Sequence, residues 1–244
     1  AFGVMASIPS AISTALFPQY SELRGRNGTR SLEKAVKTAS RYAVYIVVPL
    51  AVGLAATARP TISLFAGRAY EMGAIPLVIL SLFGAATSVG AALSDMFSIT
   101  ERTKVSALLT LIVVSASVSL GFLLLPPNGV LGAAILRGVA MVLSLASMLA
   151  ILRQMRLFSV SFDFEALWKS WFASSVMAIA VVGLQFLLYS KYLLPLYVLA
   201  GFAVYLVFLR FLGAFKTQDV HLVKAFAGKR FERVVDWLGP LLVS

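Results

Sequence analysis

The sequence predicts an all-α bundle of about seven membrane-spanning helices, and three observations carry that prediction. Hydrophobic residues fill 60% of the 244 positions and charged residues only 13%, where a soluble domain carries about a quarter charged. The mean hydropathy is +0.92. The apolar residues also fall into seven stretches, Ala1–Phe17, Tyr42–Ala66, Gly73–Phe97, Val105–Leu125, Gly129–Leu152, Trp168–Tyr189 and Leu193–Leu212. Most approach the roughly 20 residues that cross a hydrocarbon core.

The charges sort the breaks between these stretches into two kinds. Arg24, Arg26, Arg30, Lys34, Lys37 and Arg41 follow the first stretch, Arg102 and Lys104 the third, and Arg153, Arg156 and Lys169 the fifth. Lys216, Lys224, Lys229, Arg230 and Arg233 follow the seventh, whereas the other breaks hold only Arg68, none, and Lys191. Basic loops stay on the cytoplasmic side, so the C-terminus is expected inside the cell membrane and Ala1 at its outer face. The net charge of +11 therefore reflects topology. No basic stripe with interleaved aromatics points to nucleic acid. Without cysteine and with His221 as the only histidine, thiol chemistry and a His-based metal site are excluded; no metal or cofactor is expected.

Taken in order, the first stretch is short, lacks a signal-peptide pattern and ends at Pro18. An outer start with no translocation signal leads us to expect a C-terminal fragment whose N-terminal lobe lies upstream. Asn27–Gly28 is a turn signal, and Ser31–Arg41 reads as a surface helix with a favourable Glu33–Lys37 pair. Pro49 and Gly53 in the second stretch are either tolerated packing or a cavity-shaping bend. Gly84–Ala86, Gly90–Ala92 and Gly132–Ala134 let backbones approach closely. Residues 214–244 mix Val220, Phe226, Phe231 and Leu238 with basic side chains, the pattern of an amphipathic tail on the anionic inner leaflet.

Charges within spans are the candidate site, because an ionised group at a helix centre costs about 2.5–3.5 kcal/mol or more. Arg137 lies eight residues after Gly129, roughly 12 Å along a helix and near the midplane. It is either a cationic contact for an anionic ligand in a water-filled cavity, or a structural arginine held by carbonyls or by Asp95. Asp95 is either interfacial or a proton or sodium site for ion coupling. Arg59, just before Pro60, either reaches headgroups or touches ligand at an outer gate. Gln185 is expected to make an interhelical hydrogen bond. Asp163 and Glu165 form a D-x-E of the kind seen in sugar transferases, better explained by a loop entering the interface. No Walker loop, nucleophile elbow or HExxH pair occurs, so no enzymatic activity is expected.

Three motifs in order carry a family resemblance. Pro18-Gln-Tyr-Ser-Glu-Leu leads through the basic helix to Val48-Pro-Leu-Ala-Val-Gly-Leu. Arg59–Pro60 and Ile62-Ser-Leu-Phe-Ala-Gly-Arg-Ala-Tyr70 follow, and Leu125-Pro-Pro-Asn-Gly-Val-Leu-Gly-Ala-Ala134 comes last. Together they resemble the polysaccharide-transporter branch of the multidrug/oligosaccharidyl-lipid/polysaccharide exporter superfamily, over about Ala1–Leu152. The second motif carries one extra residue, and the final two stretches agree only in hydropathy.

The resemblance implies a fourteen-helix, two-lobe flippase, monomeric at full length, moving lipid-linked oligosaccharide to the outer leaflet by alternating access. Residues 1–152 would belong to its C-terminal lobe, 153–213 would be two additional helices and 214–244 the tail. Its partners would be the lipid-linked oligosaccharide, membrane lipids and the missing N-terminal lobe, which would supply most of the anion site. Within the superfamily, a peptidoglycan-precursor flippase is a close alternative. A drug or cation antiporter fits less well, since acidic residues deep in the spans are scarce. Outside it stands a membrane-embedded subunit of a glycan assembly complex.

Overall fold

The computed structural model describes residues 29–85, 103–154 and 163–213. Helix α1 (Thr29–Ala56) is followed without a loop by the short α2 (Ala58–Phe65). A 3-10 turn, Arg68–Gly73, leads into α3 (Ala74–Gly84). Then come the long α4 (Thr103–Gln154), α5 (Phe164–Leu187), a second 3-10 turn at Lys191–Leu193 and α6 (Leu194–Phe211). Three helices among the described residues are long and apolar enough to cross a membrane, within Ala107–Ile151, Phe164–Leu187 and Lys191–Phe211. The bent pair Ser40–Ala56 and Ala58–Phe65 makes a fourth. The stretch expected over Ala1–Phe17, the last part of the one over Gly73–Phe97, Asp95 and the tail lie outside the described residues.

The expected surface helix and the span after it are one continuous helix, α1. Between Ser31 and Pro49 the chain offers neither glycine nor proline, so nothing stops the helix at Arg41. The change from basic to apolar face happens within it, where the Arg41 guanidinium lies 5.4 Å from the Tyr42 ring centre. Beyond that point Val44, Val47, Val48, Ala51 and Val52 are buried.

Helix α4 reads as 52 helical residues, but Gly129 interrupts it at φ 50°, ψ −124°, a conformation open only to a residue without Cβ. A Cβ on Gly132 would lie 2.3 Å from the Leu124 carbonyl oxygen, and one on Gly121 would lie 3.4 Å from Leu136 Cδ2. A straight helix would hold residues eight apart at about 12 Å, so the chain folds back. The break expected at Pro126–Asn128 thus separates two arms, 103–128 and 130–154. The other motif, Leu-Phe-Ala-Gly-Arg-Ala-Tyr, turns at Gly67 with φ 92°.

Helix α1 is the centre of the packing. It contacts α3, which leans on α4, and it contacts α5, which pairs with α6. Ser170 of α5 reaches Val44, and Gln185 reaches Ala56, so α1 and α5 run in the same direction. Helix α6 returns antiparallel, its end tied to the start of α5 by Lys169 Nζ donating to the Gly213 carbonyl at 3.3 Å. Arg41, Lys169 and Arg210 consequently gather at one end of the bundle. Arg59 lies toward the other end, where α2 packs on the Lys191–Leu193 turn. The core includes Val44, Val48, Ala51, Ala173, Met177, Val181, Tyr197, Tyr205 and Leu209, with Met148 from the second arm of α4. Neighbouring helices provide what lipid cannot, close packing and partners for polar groups.

Candidate functional site

The two arms of α4 diverge from Gly129 and leave a groove of about 550 Å³ between them, within the range of small-ligand sites. Its walls are Val113, Val114, Val118 and Phe122 on one arm and Leu136 and Ala140 on the other, with Arg137 between the last two. Helical side chains lean toward the N-terminal end of their helix, which aims Arg137 back toward the Gly129 turn. Arg137 is exposed and makes no hydrogen bond or ion pair with another described residue. Ser117 also lines the groove, but its hydroxyl donates to the Val113 carbonyl at 2.6 Å within its own helix. The arrangement is one cation beside a strip of hydrocarbon, which suits an amphiphile bearing an anionic group.

The other sequence candidates lie elsewhere. Arg59 is exposed on α2 and does not line this groove, so the structure does not bring it together with Arg137. Asp95 lies outside the described residues. Gln185 makes its interhelical bond, Nε2 donating to the Ala56 carbonyl at 3.0 Å. The D-x-E resolves into the start of a helix. Asp163 caps α5 by accepting from the Ala166 amide at 3.3 Å, and Glu165 pairs with Lys169 at 2.6 Å. A side-chain N-cap and an i, i+4 pair are what a helix N-terminus asks for. No group of three or more potential metal-ligating residues occurs among the described residues.

A buried polar chain is not evident from the sequence. Tyr205 Oη donates to the Tyr45 carbonyl at 2.9 Å and lies 3.2 Å from Ser170 Oγ, which itself bonds the Val44 carbonyl at 3.3 Å. Pro49 explains the need for the first of these bonds. It has no N–H to give the carbonyl four residues back, Tyr45, and a donor from α6 takes its place. The Ala56 carbonyl ends α1 at the break, Pro60 in the first turn of α2 has no N–H to offer it, and Gln185 of α5 serves it. A sequence signal does exist: Pro49 and Pro60 identify the two carbonyls that other helices satisfy here. Between the two prolines the helix breaks at Thr57, whose N–H and Oγ1 both bond the Gly53 carbonyl, at 2.9 and 2.8 Å. The two segments meet at 73°. The bend lies at Thr57, four residues beyond the Pro49–Gly53 region where the sequence offers one, and threonine back-bonding of this kind favours it.

No curated protein matches the chain. Among solved structures, one described as lipid II flippase MurJ in an inward closed conformation has a TM-score of 0.72 with 18% sequence identity. The similarity covers 85% of this chain and 43% of that one, so the chain spans less than half of that protein's length; at this identity the likeness establishes the fold. The family described as Lipid II flippase MurJ matches residues 5–208. The superfamily resemblance therefore holds, but the match falls on this family and not on the oligosaccharide branch. Two of the motifs that suggest that branch sit at helix breaks, at Pro60–Gly67 and Pro126–Gly129, and such breaks report the architecture the relatives share rather than the headgroup they carry. By a match covering most of its length, the chain belongs to the lipid II flippase MurJ family, a family of membrane transporters rather than enzymes.

Proposed function

We propose that the protein containing this chain flips a lipid-linked glycan precursor of the peptidoglycan kind from the cytoplasmic to the outer leaflet, by alternating access. The family match over residues 5–208 carries this reading. The chemistry agrees with it: a sugar headgroup on a phosphate or diphosphate is too polar to cross hydrocarbon unaided. A bundle that offers a cation beside an apolar strip could hold the phosphate and the start of the lipid together. Arg137 is the proposed phosphate contact, Arg59 an outer-gate contact and Asp95 the ion-coupling residue. The gathering of Arg41, Lys169 and Arg210 at one end supports a cytoplasmic C-terminus. A lipid-linked oligosaccharide is the second reading, left open because the superfamily resemblance does not itself choose between headgroups.

Complementation tests the activity. Cells depleted of their own peptidoglycan-precursor flippase should survive when they express the full-length protein, and lysis despite normal membrane expression would contradict the proposal. Arg137→Ala should abolish translocation without loss of folded protein; wild-type rates would remove Arg137 from the site.

A further inference from the structure

The two prolines of the bent span are served by donors of very different standing. Tyr205 is 2% exposed and is held also by Ser170, deep in the shared core of α1, α5 and α6. Gln185 is half-buried, near the end of α5, and its target is the last carbonyl before the break at Thr57. Beyond that break α2 contacts the Arg68–Gly73 turn, α3 and the Lys191–Leu193 turn. A change of angle at Thr57 would thus move one end of the bundle, with the small cluster of Ala58, Ala74 and Leu77, and leave the core around Tyr205 in place.

We propose that Thr57 is a hinge, that Gln185 is its latch, and that the Tyr205–Tyr45 contact is its fixed pivot. With Gln185 on the Ala56 carbonyl, the carbonyl orphaned by Pro60 is satisfied only in the bent arrangement, and α5 holds α2 at its angle. When Gln185 lets go, that carbonyl must find another donor, and α2 is free to reorient. A single interhelical hydrogen bond is weak enough to exchange with water or with a second donor during a working cycle. The hinge itself does not depend on what is carried. Its place as a moving part of a flipping cycle rests on the proposed function, and Gln185 is there a positioning residue that never touches the substrate.

The test uses the full-length protein in lipid bilayers with spin labels at cysteines replacing Phe65, at the end of α2, and Ile179, on α5. Both positions are exposed, and this chain has no cysteine of its own. Gln185→Leu should shift the ratio of two distance populations by roughly three- to twentyfold, the range for losing one interhelical bond. In a Pro60→Ala background the backbone regains its N–H, so the same Gln185→Leu change should leave the distances unmoved. An unchanged distribution in Gln185→Leu, or an equal shift with and without Pro60→Ala, would overturn the latch. Should Gln185→Leu fail to fold, recovery of folded protein in the double variant supports the proposal, and failure of both refutes it. In a flip assay Gln185→Leu should lower the translocation rate while precursor affinity stays within twofold. An inactive wild-type protein would count against the proposed function, and the distance measurement would still decide the hinge.

Discussion

Two breaks interrupt the apolar helices, and they are built on opposite principles. At Gly129 the chain turns because one residue adopts a backbone conformation closed to side chains, and Gly132 lets the arms of α4 meet at the Leu124 carbonyl. Everything needed lies within a few residues of sequence. At Thr57 the chain bends between Pro49 and Pro60, which remove donors, and the carbonyls they leave are satisfied by Tyr205 and Gln185, more than 120 residues away. A glycine break is local and self-sufficient. A proline break in a membrane makes its helix depend on a neighbour, and so couples the two.

That contrast can be broken most severely at Gly132. Alanine there would drive a Cβ into a backbone carbonyl that cannot yield, and Gly132→Ala should destabilise the protein by about 3 kcal/mol, read as a fall in the thermal midpoint of the purified full-length protein. A midpoint unchanged within error would mean the arms are not packed as described. Gly129→Ala should cost less, about 2 kcal/mol, and Gly129→Asn as much, because ψ −124° lies outside the left-handed region that asparagine tolerates. An alanine or asparagine variant as stable as the wild type would show that backbone conformation is not what the turn needs. Smallest is Tyr205→Phe, about 1 kcal/mol for one interhelical bond. Its cost should shrink in a Pro49→Ala background; additive costs would deny that Tyr205 serves the carbonyl that Pro49 orphans.

The same contrast explains how much of the molecule is legible in its sequence. Hydropathy locates the apolar helical runs over 105–152, 168–189 and 193–212 because each is bounded by local punctuation. The turn at Pro126–Gly129 is legible for the same reason. The surface helix looks separate from its span because a run of charge resembles a boundary, although no residue between Ser31 and Pro49 breaks a helix. The bend at Thr57 escapes a local reading because its cause is shared between distant residues. Proline shows which carbonyl is orphaned, but only the fold shows that Gln185 arrives to serve it. Arg137 stands out as a charge in an apolar run; its groove depends on how far the arms of α4 diverge, which no local pattern states. The choice between glycan carriers is least legible, since the motifs at the breaks belong to the common architecture.

If this chain is part of a machine that carries a phosphate-linked glycan lipid across a bilayer, transport itself should be visible in a purified system. The full-length protein would be reconstituted in proteoliposomes with a peptidoglycan-type precursor on one leaflet, and its appearance on the other followed over time. Translocation should depend on the protein, be lost in Arg137→Ala, and run faster for this precursor than for a lipid-linked oligosaccharide of other composition. Translocation no faster than in protein-free vesicles, with both precursors, would contradict a role in carrying either lipid.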